Sequence, residues 1–489
     1  MSSTNSPQLP LFSPPENRFY PDKLREMILM TKSRPVVFSN FITDWPAMKW
    51  TLPYLASVLQ NQTMSCRLGL KHVDDVQWET ECDYEDVNVG QFSDWVSGIP
   101  QPDNPLGQYD RDKHWGYMDY KYMKDMFSAN PHMLEAVSWK RFGFAGQSGK
   151  DSTIWLGSEH AYTVGHYDTY GCNLVAQISG RKRWILFPPE QTDHLYPTRV
   201  PFEESSVFSD VNITRPNLQK FPKLKKTTPY LVTLEAGDVL LVPRHWWHFV
   251  QCLEPAVSIN TWINLDVDHE ARVQEALTQT LVCAVLASDP REESKILNPN
   301  QDFLSLEENK EAIIGALREQ MKAKKEPGGV RSLGKDDCRS NPPSGKLHTN
   351  VKANKRKCDV ELSTERKSLK YSVSNSCQEG SNKELHEQIH VADKDTIWKQ
   401  PEVTPIEPSS FQDYLTLMKT DQIVGETSDF PTTNPYKPEP VAGCDSSRPT
   451  HSPLTPFSIS TRTLLNCFTH PRVISMVSDL LQDSVDINV

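Results

Sequence analysis

In the stretch TVGHYDTYG, His166 and Asp168 stand one residue apart at the head of a run rich in strand-forming side chains. Along an extended chain, positions i and i+2 project to the same face, so an imidazole and a carboxylate would point together at one ion. A single further His completes three ligands. Two His and one carboxylate on one side of an octahedron leave the opposite positions open, the arrangement suited to non-haem Fe(II) and O2 chemistry. The third ligand should come from a distant strand, and GDVLLVPRHWWHFVQ offers two candidates, His245 and His248. Their odd separation puts them on opposite faces of a strand, and alternation alone does not say which points inward. Zinc competes for such ligands, in closed tetrahedral sites when structural, but no fourth ligand is evident. A second H-x-D, His72 and Asp74, has the same spacing without a following strand that carries a basic residue. It reads as a solvated loop.

These residues must be positioned by a folded region, and composition locates it. Eleven of the twelve Trp fall between Trp45 and Trp262, and aromatic and β-branched residues are dense from Tyr20 to Ala287. Residues 1–19 read as a disordered leader. From Ser288 to Ser458 the chain is rich in Lys, Glu, Asn, Ser and Pro, too poor in apolar side chains to offset the entropy of ordering, and reads as a disordered linker. The net charge of −11 argues against nucleic acid as a partner, because nonspecific phosphate binding needs a basic face. Ten scattered Cys with no C-x-x-C offer neither a zinc knuckle nor a dithiol motif. The first residues lack the pattern of a secretory signal, and no run approaches the roughly 20 apolar residues of a membrane span. The expectation is a soluble, intracellular protein.

Within the folded region, PDKLREMILMTKSRPVVFSNF reads as a helix with Leu24, Met27, Ile28 and Met30 on one side, stopped before Pro35 and followed by a strand. STIWLGS, NLVAQISG, KRWILFP, YLVTLEAGDVLLVP and AVSINTWINL are short strands bounded by Gly, Pro or charged residues, the pattern of a mainly antiparallel sandwich or barrel. Val273, Leu277, Leu281 and Val285 share one face of a following helix. That face packs on the domain or on a second copy, so a homodimer is one expectation. Residues 459–489 recover apolar periodicity as a short helical segment, with Ser460 or Thr461 as cap and Pro471 in a first turn. It serves either as a partner-docking helix pair or as a satellite of the main domain. Lys352, Lys355, Arg356 and Lys357 form a basic cluster, read as a solvated charge run in preference to an import signal.

Taken in order, TVGHYD, NLVAQISGRKRWILFPPEQ, LYP, GDVLLVPRHWWHFV and SINTWI resemble the JmjC branch of the Fe(II)/2-oxoglutarate oxygenases. They are most similar to its cupin-like protein hydroxylases, typified by the asparaginyl hydroxylase of hypoxia-inducible factor. RPVVFSNFITDWPAMKW resembles the N-terminal segment of the same group, so the likeness spans roughly residues 20 to 290. It implies a double-stranded β-helix, or jelly roll, with N-terminal and C-terminal helices, and an oxygenase domain over 20–287. It also implies His166, Asp168 and His248 as ligands of a catalytic Fe(II), with 2-oxoglutarate and O2 as co-substrates. Lys182 would pair with the far carboxylate of 2-oxoglutarate beside the Thr163 hydroxyl, and His245 would face elsewhere. Asn260 and Trp262 match pocket residues near the metal. Asn173 matches a third, across one extra residue after Asp168.

DYKYM, CNLV, GRKRW, YPTR, ESSVFS and VPRHWWH resemble a vertebrate branch of that family associated with a small heat-shock protein. The implied protein is cytoplasmic, binds a small heat-shock protein in a stress context and hydroxylates a protein side chain. Histone demethylation fits less well, since no zinc or chromatin-reader module is visible. The alternative is a non-catalytic JmjC scaffold that binds the same partner. His160 reads as a hydrogen-bonded or exposed residue; Tyr117 and Tyr120 could include a phenol that reaches the 2-oxoglutarate carboxylate, with aromatic packing preferred for each.

Overall fold

A computed structural model describes residues 20–30, 33–325, 400–425 and 460–484. The 1–19 leader and the basic cluster near Lys355 lie outside the described residues. The strands are β1 (Val36–Ser39), β2 (Thr63–Leu70), β3 (Asp83–Asn88), β4 (His114–Tyr122), β5 (Thr153–Gly157), β6 (Tyr162–Asp168), β7 (Cys172–Ser179), β8 (Lys182–Phe187), β9 (Pro197–Glu203), β10 (Ser206–Ser209), β11 (Tyr230–Leu234), β12 (Val239–Val242), β13 (Trp247–Cys252), β14 (Ala256–Ile263) and β15 (Glu402–Pro405). The helices are α1 (Pro21–Leu29), α2 (Leu52–Leu59), α3 (Val89–Ser97), α4 (Met123–Met126), α5 (His269–Ser288), α6 (Glu293–Ile296), α7 (Leu306–Lys325), α8 (Phe411–Gly425), α9 (Thr461–Phe468) and α10 (Pro471–Ser484).

Two antiparallel sheets face each other. One runs β15-β1-β12-β7-β14-β5-β4-β2-β3 and the other β11-β8-β13-β6-β10-β9. Consecutive strands repeatedly cross between them, as the jelly-roll expectation requires: β6 and β8 belong to the shorter sheet, β7 between them to the longer. Gly180 makes the β7–β8 crossing possible. Its φ is +65°, and a Cβ there would lie 2.1 Å from the Pro255 carbonyl oxygen. The inner faces meet in a core that joins Val175, Leu240 and Val242 to Trp184, Leu186 and Val250. The outer face of the longer sheet is covered by α1 and α2, with Leu24, Ile28, Leu55 and Leu59 buried against it.

The C-terminal elements depart from the sequence reading. The apolar face of α5 is covered within the chain, since Val273 and Leu277 pack with Leu317 of α7 and Ile474 of α10. The surface invoked for a homodimer is therefore buried, and the last helices pack on α5. Ser460 caps α9 by accepting from the Thr463 N–H, and Pro471 opens α10. The 288–458 linker is also not uniform. α7 lies within it, β15 pairs with all four residues of β1, and α8 buries Tyr414 and Met418. Their few apolar side chains find partners, those of α7 on α5 and those of β15 and α8 on the barrel, which composition averaged over a long window conceals.

Candidate metal and anion site

His166 and Asp168 lie on β6, one strand from His248 on β13, and the register sets His166 directly opposite His248. The two imidazole centroids are 4.1 Å apart, and His166 Nε2 is 3.9 Å from an Asp168 carboxylate oxygen. One ligand atom from each of the three residues falls within 4.8 Å of the others. Both rings are held by the backbone two residues earlier: His166 Nδ1 bonds the Val164 carbonyl at 2.8 Å and His248 Nδ1 bonds the Trp246 carbonyl at 2.9 Å. A carbonyl can only accept, so each Nδ1 donates to it and each Nε2 is left as the ligand atom. That is the tautomer a metal ligand needs. Burial, reinforced by His166, holds His248 well below the usual imidazole range, so it stays neutral. Burial also pushes the Asp168 carboxyl above its usual value, offset in part by His166 and by the Trp262 indole N–H, 3.3 Å from Asp168. Two imidazoles and a desolvated carboxylate fit a divalent cation.

His245 is elsewhere, as the family resemblance implied. The parity argument does not apply to it, because β12 ends at Val242 and β13 begins at Trp247. His245 sits in the intervening turn with φ of +65°, its Nε2 2.7 Å from the Thr169 carbonyl. His72 is exposed in a loop, where Arg215 approaches its ring and pairs with Asp74. His160 follows a turn, with its ring centroid 6.4 Å from that of His72.

Lys182 opens β8 and points inward. It is 2% exposed, and its ammonium donates to Ser258 Oγ at 2.7 Å and to the Tyr117 phenol at 3.2 Å. The Tyr117 phenol also shares a hydrogen bond with Thr163. Among the described residues no carboxylate forms an ion pair with Lys182, and burial lowers its pKa from the usual lysine value. A buried ammonium among hydroxyl groups, with no carboxylate paired to it among the described residues, suits an anion. Arg181 points out to Glu254, and Trp184 turns inward to stack on His248 with centroids 6.0 Å apart.

One strand connects the two sites. Ser258, Asn260 and Trp262 alternate onto the inner face of β14, spanning roughly 14 Å at the usual rise of a strand. Ser258 holds Lys182 and Trp262 reaches Asp168. Between them, Asn260 donates to Asn173 Oδ1 at 2.9 Å and accepts from Trp155 Nε1 at 2.7 Å. Asn173 thus joins the pocket wall despite the extra residue before it. The sequence reading missed Ser258 and favoured packing for Tyr117. Its strand parity with Asn260 was the available signal for Ser258. For Tyr117 the phenol reading was open in the sequence with packing preferred, and the structure directs its hydroxyl to Lys182, ahead of a register shift in β4 between Met118 and Lys121. Tyr120, in that irregularity, does pack as an aromatic, 4.6 Å from Trp155.

The Cupin-like domain family matches residues 22–268. The chain is 47% identical to rat HSPB1-associated protein 1 over 286 residues, which is 58% of this chain and 60% of the relative. A zebrafish HSPB1-associated protein 1 homolog is 45% identical over 313 residues, covering 63% of this chain and 69% of the relative. Lysine-specific demethylase 8 of Xenopus tropicalis is 26% identical over 239 residues, 48% of each chain. The aligned region thus spans about 60% of the length of the mammalian relatives. No helix among the described residues is long and apolar enough to cross a membrane. The chain belongs to the cupin-like, JmjC-type domain family.

Proposed function

We propose that the protein is an Fe(II)- and 2-oxoglutarate-dependent oxygenase that hydroxylates a protein side chain. The observation that carries this reading is the pairing of a His, Asp, His triad with a buried lysine whose hydrogen-bond partners among the described residues are hydroxyls, both served by β14. His166, Asp168 and His248 would hold the iron. Lys182, Ser258, Tyr117 and Thr163 would receive the far carboxylate of 2-oxoglutarate, with Asn173 and Asn260 lining the wall between. When bound, Fe(II) and 2-oxoglutarate supply O2 activation coupled to decarboxylation, which gives succinate, CO2 and one oxygen atom for a substrate C–H bond. The chain's own residues do the rest. The backbone carbonyls of Val164 and Trp246 fix the imidazole tautomers, the Trp262 N–H orients the carboxylate, and the buried ammonium selects a diacid over a monoacid.

The test is full-length protein with Fe(II) and carboxyl-labelled 2-oxoglutarate. Metal-dependent label release that disappears in His166→Ala supports the reading; no release with or without partner proteins, despite bound iron, overturns it.

A second reading is favoured by the printed names of the matched relatives. A protein similar to HSPB1-associated proteins could bind a small heat-shock protein in the cytoplasm through this fold without turnover. Partner capture that is equal in wild type and His166→Ala, with no decarboxylation in either, would support the scaffold.

A further inference from the structure

The shorter sheet carries His166, Lys182 and His248 on its inner face, and alternation sends Gly165, Ile185, Phe187, Trp247 and Phe249 outward. That outer face is backed by a segment far away in sequence. Tyr414 and Met418 of α8 share one buried cluster with Phe187, Trp247 and Ile213. The Tyr414 hydroxyl donates to the Ile213 carbonyl at 2.5 Å, and its ring meets Phe187 edge-on with centroids 6.3 Å apart. Ile213 lies against Gly165, next to His166, so closely that a Cβ on Gly165 would be 3.1 Å from Ile213 Cγ1. Phe187 pairs across the strands with Trp247, the neighbour of His248. The segment is tied at its other end as well. β15 pairs with β1, and the Ser409 N–H donates to the Pro229 carbonyl at 2.8 Å.

We propose that residues 402–420 form a strap that is part of the metal-binding unit. Tyr414 is its positioning residue, acting on His166 through Ile213 and on His248 through Phe187 and Trp247. Two imidazoles on adjacent strands keep their ligand spacing only while those strands cannot slide or bow outward. In a close-packed interior the backing side chains set that limit. The family match ends at residue 268, so the strap lies outside it and adds to the backing that Leu195, Val211 and Phe221 give the same face. The proposal rests on the triad being a metal site.

The experiment is a Co(II) titration of the full chain, read as dissociation constant and as the ligand-field spectrum. Direct hydrogen-bond partners of metal ligands change affinity by about 10- to 100-fold, and Tyr414 stands one contact further out. Tyr414→Phe, which keeps the ring and loses the bond to Ile213, should weaken Co(II) by about three- to tenfold and shift the spectrum; Met418→Ala should do the same. Leu317→Ala, buried between α5 and α7, is the matched control and should bind Co(II) as wild type even where it lowers the melting temperature equally. Wild-type affinity and spectrum in both strap variants, or an equal loss in Leu317→Ala, would overturn the proposal alone. A wild-type chain that binds no Co(II) would remove the triad reading and the proposal with it.

Discussion

Lys182→Met separates the anion site from the stability of the fold. The substitution removes the ammonium and keeps a chain of similar length. Charge-assisted hydrogen bonds contribute about 1.5–3 kcal/mol each, and truncating one partner of a buried charge pair costs roughly 2–5 kcal/mol. Here Ser258, Tyr117 and Thr163 remain as hydroxyl donors to an incoming carboxylate. The lower part of that range therefore applies: about 2–3 kcal/mol, or roughly 30- to 150-fold weaker 2-oxoglutarate binding. Without ligand the same ammonium is desolvated and has no ion-pair partner among the described residues, so its removal relieves a cost of several kcal/mol that outweighs two lost hydrogen bonds. The melting temperature of the ligand-free chain should not fall. Calorimetric titration of the Co(II)-loaded protein gives the affinity, and 2-oxopentanoate, which carries a methyl group where 2-oxoglutarate has its far carboxylate, should bind wild type and variant alike. Unchanged 2-oxoglutarate affinity, or a melting temperature several degrees lower, would refute the assignment of Lys182 to the far carboxylate of 2-oxoglutarate.

Three further outcomes are expected. Trp262→Phe removes the indole N–H from Asp168 and should weaken Co(II) by about tenfold, measured by competition with a chelator. His245→Ala should leave metal stoichiometry unchanged and cost about 1 kcal/mol in urea denaturation, the loss of its bond to Thr169. Because burial lowers the folded-state pKa of Lys182, the unfolded chain binds more protons between that lowered value and the usual lysine value near 10.5. Ligand-free stability should therefore rise with pH through this window. Lys121, lowered by the same cause, contributes in the same sense, so the difference between wild type and Lys182→Met isolates Lys182. Saturating 2-oxoglutarate, which favours the ammonium, should flatten that difference.

What was legible in the sequence follows the range of each signal. The H-x-D pair and its strand are local, and the ordered motifs from Thr163 to Ile263 bring in Lys182 and His248, which lie on neighbouring strands in the structure. Strand parity failed at His245 because a Pro243 turn interrupts what alternation treats as one strand. The strap was hidden by the polar composition around it, yet it carried a signal. Phe411, Tyr414, Leu415 and Met418 have helical spacing, and Ser410 with Asp413 forms a capping box in which each side chain bonds the other's backbone N–H. Which face of the barrel that helix would cover could not be read, because its partners, Ile213, Phe187 and Trp247, are far away in sequence.

The proposed function requires one iron site and one 2-oxoglutarate site that act together in this chain. Anaerobic equilibrium dialysis of the full-length protein, followed by metal and 2-oxoglutarate analysis, tests it most directly. The account predicts one Fe(II) per chain, lost in His166→Ala and His248→Ala and kept in His245→Ala, with 2-oxoglutarate held tightly only when iron is present. Wild-type protein without stoichiometric iron, or iron retained after loss of His166 and His248, would contradict it.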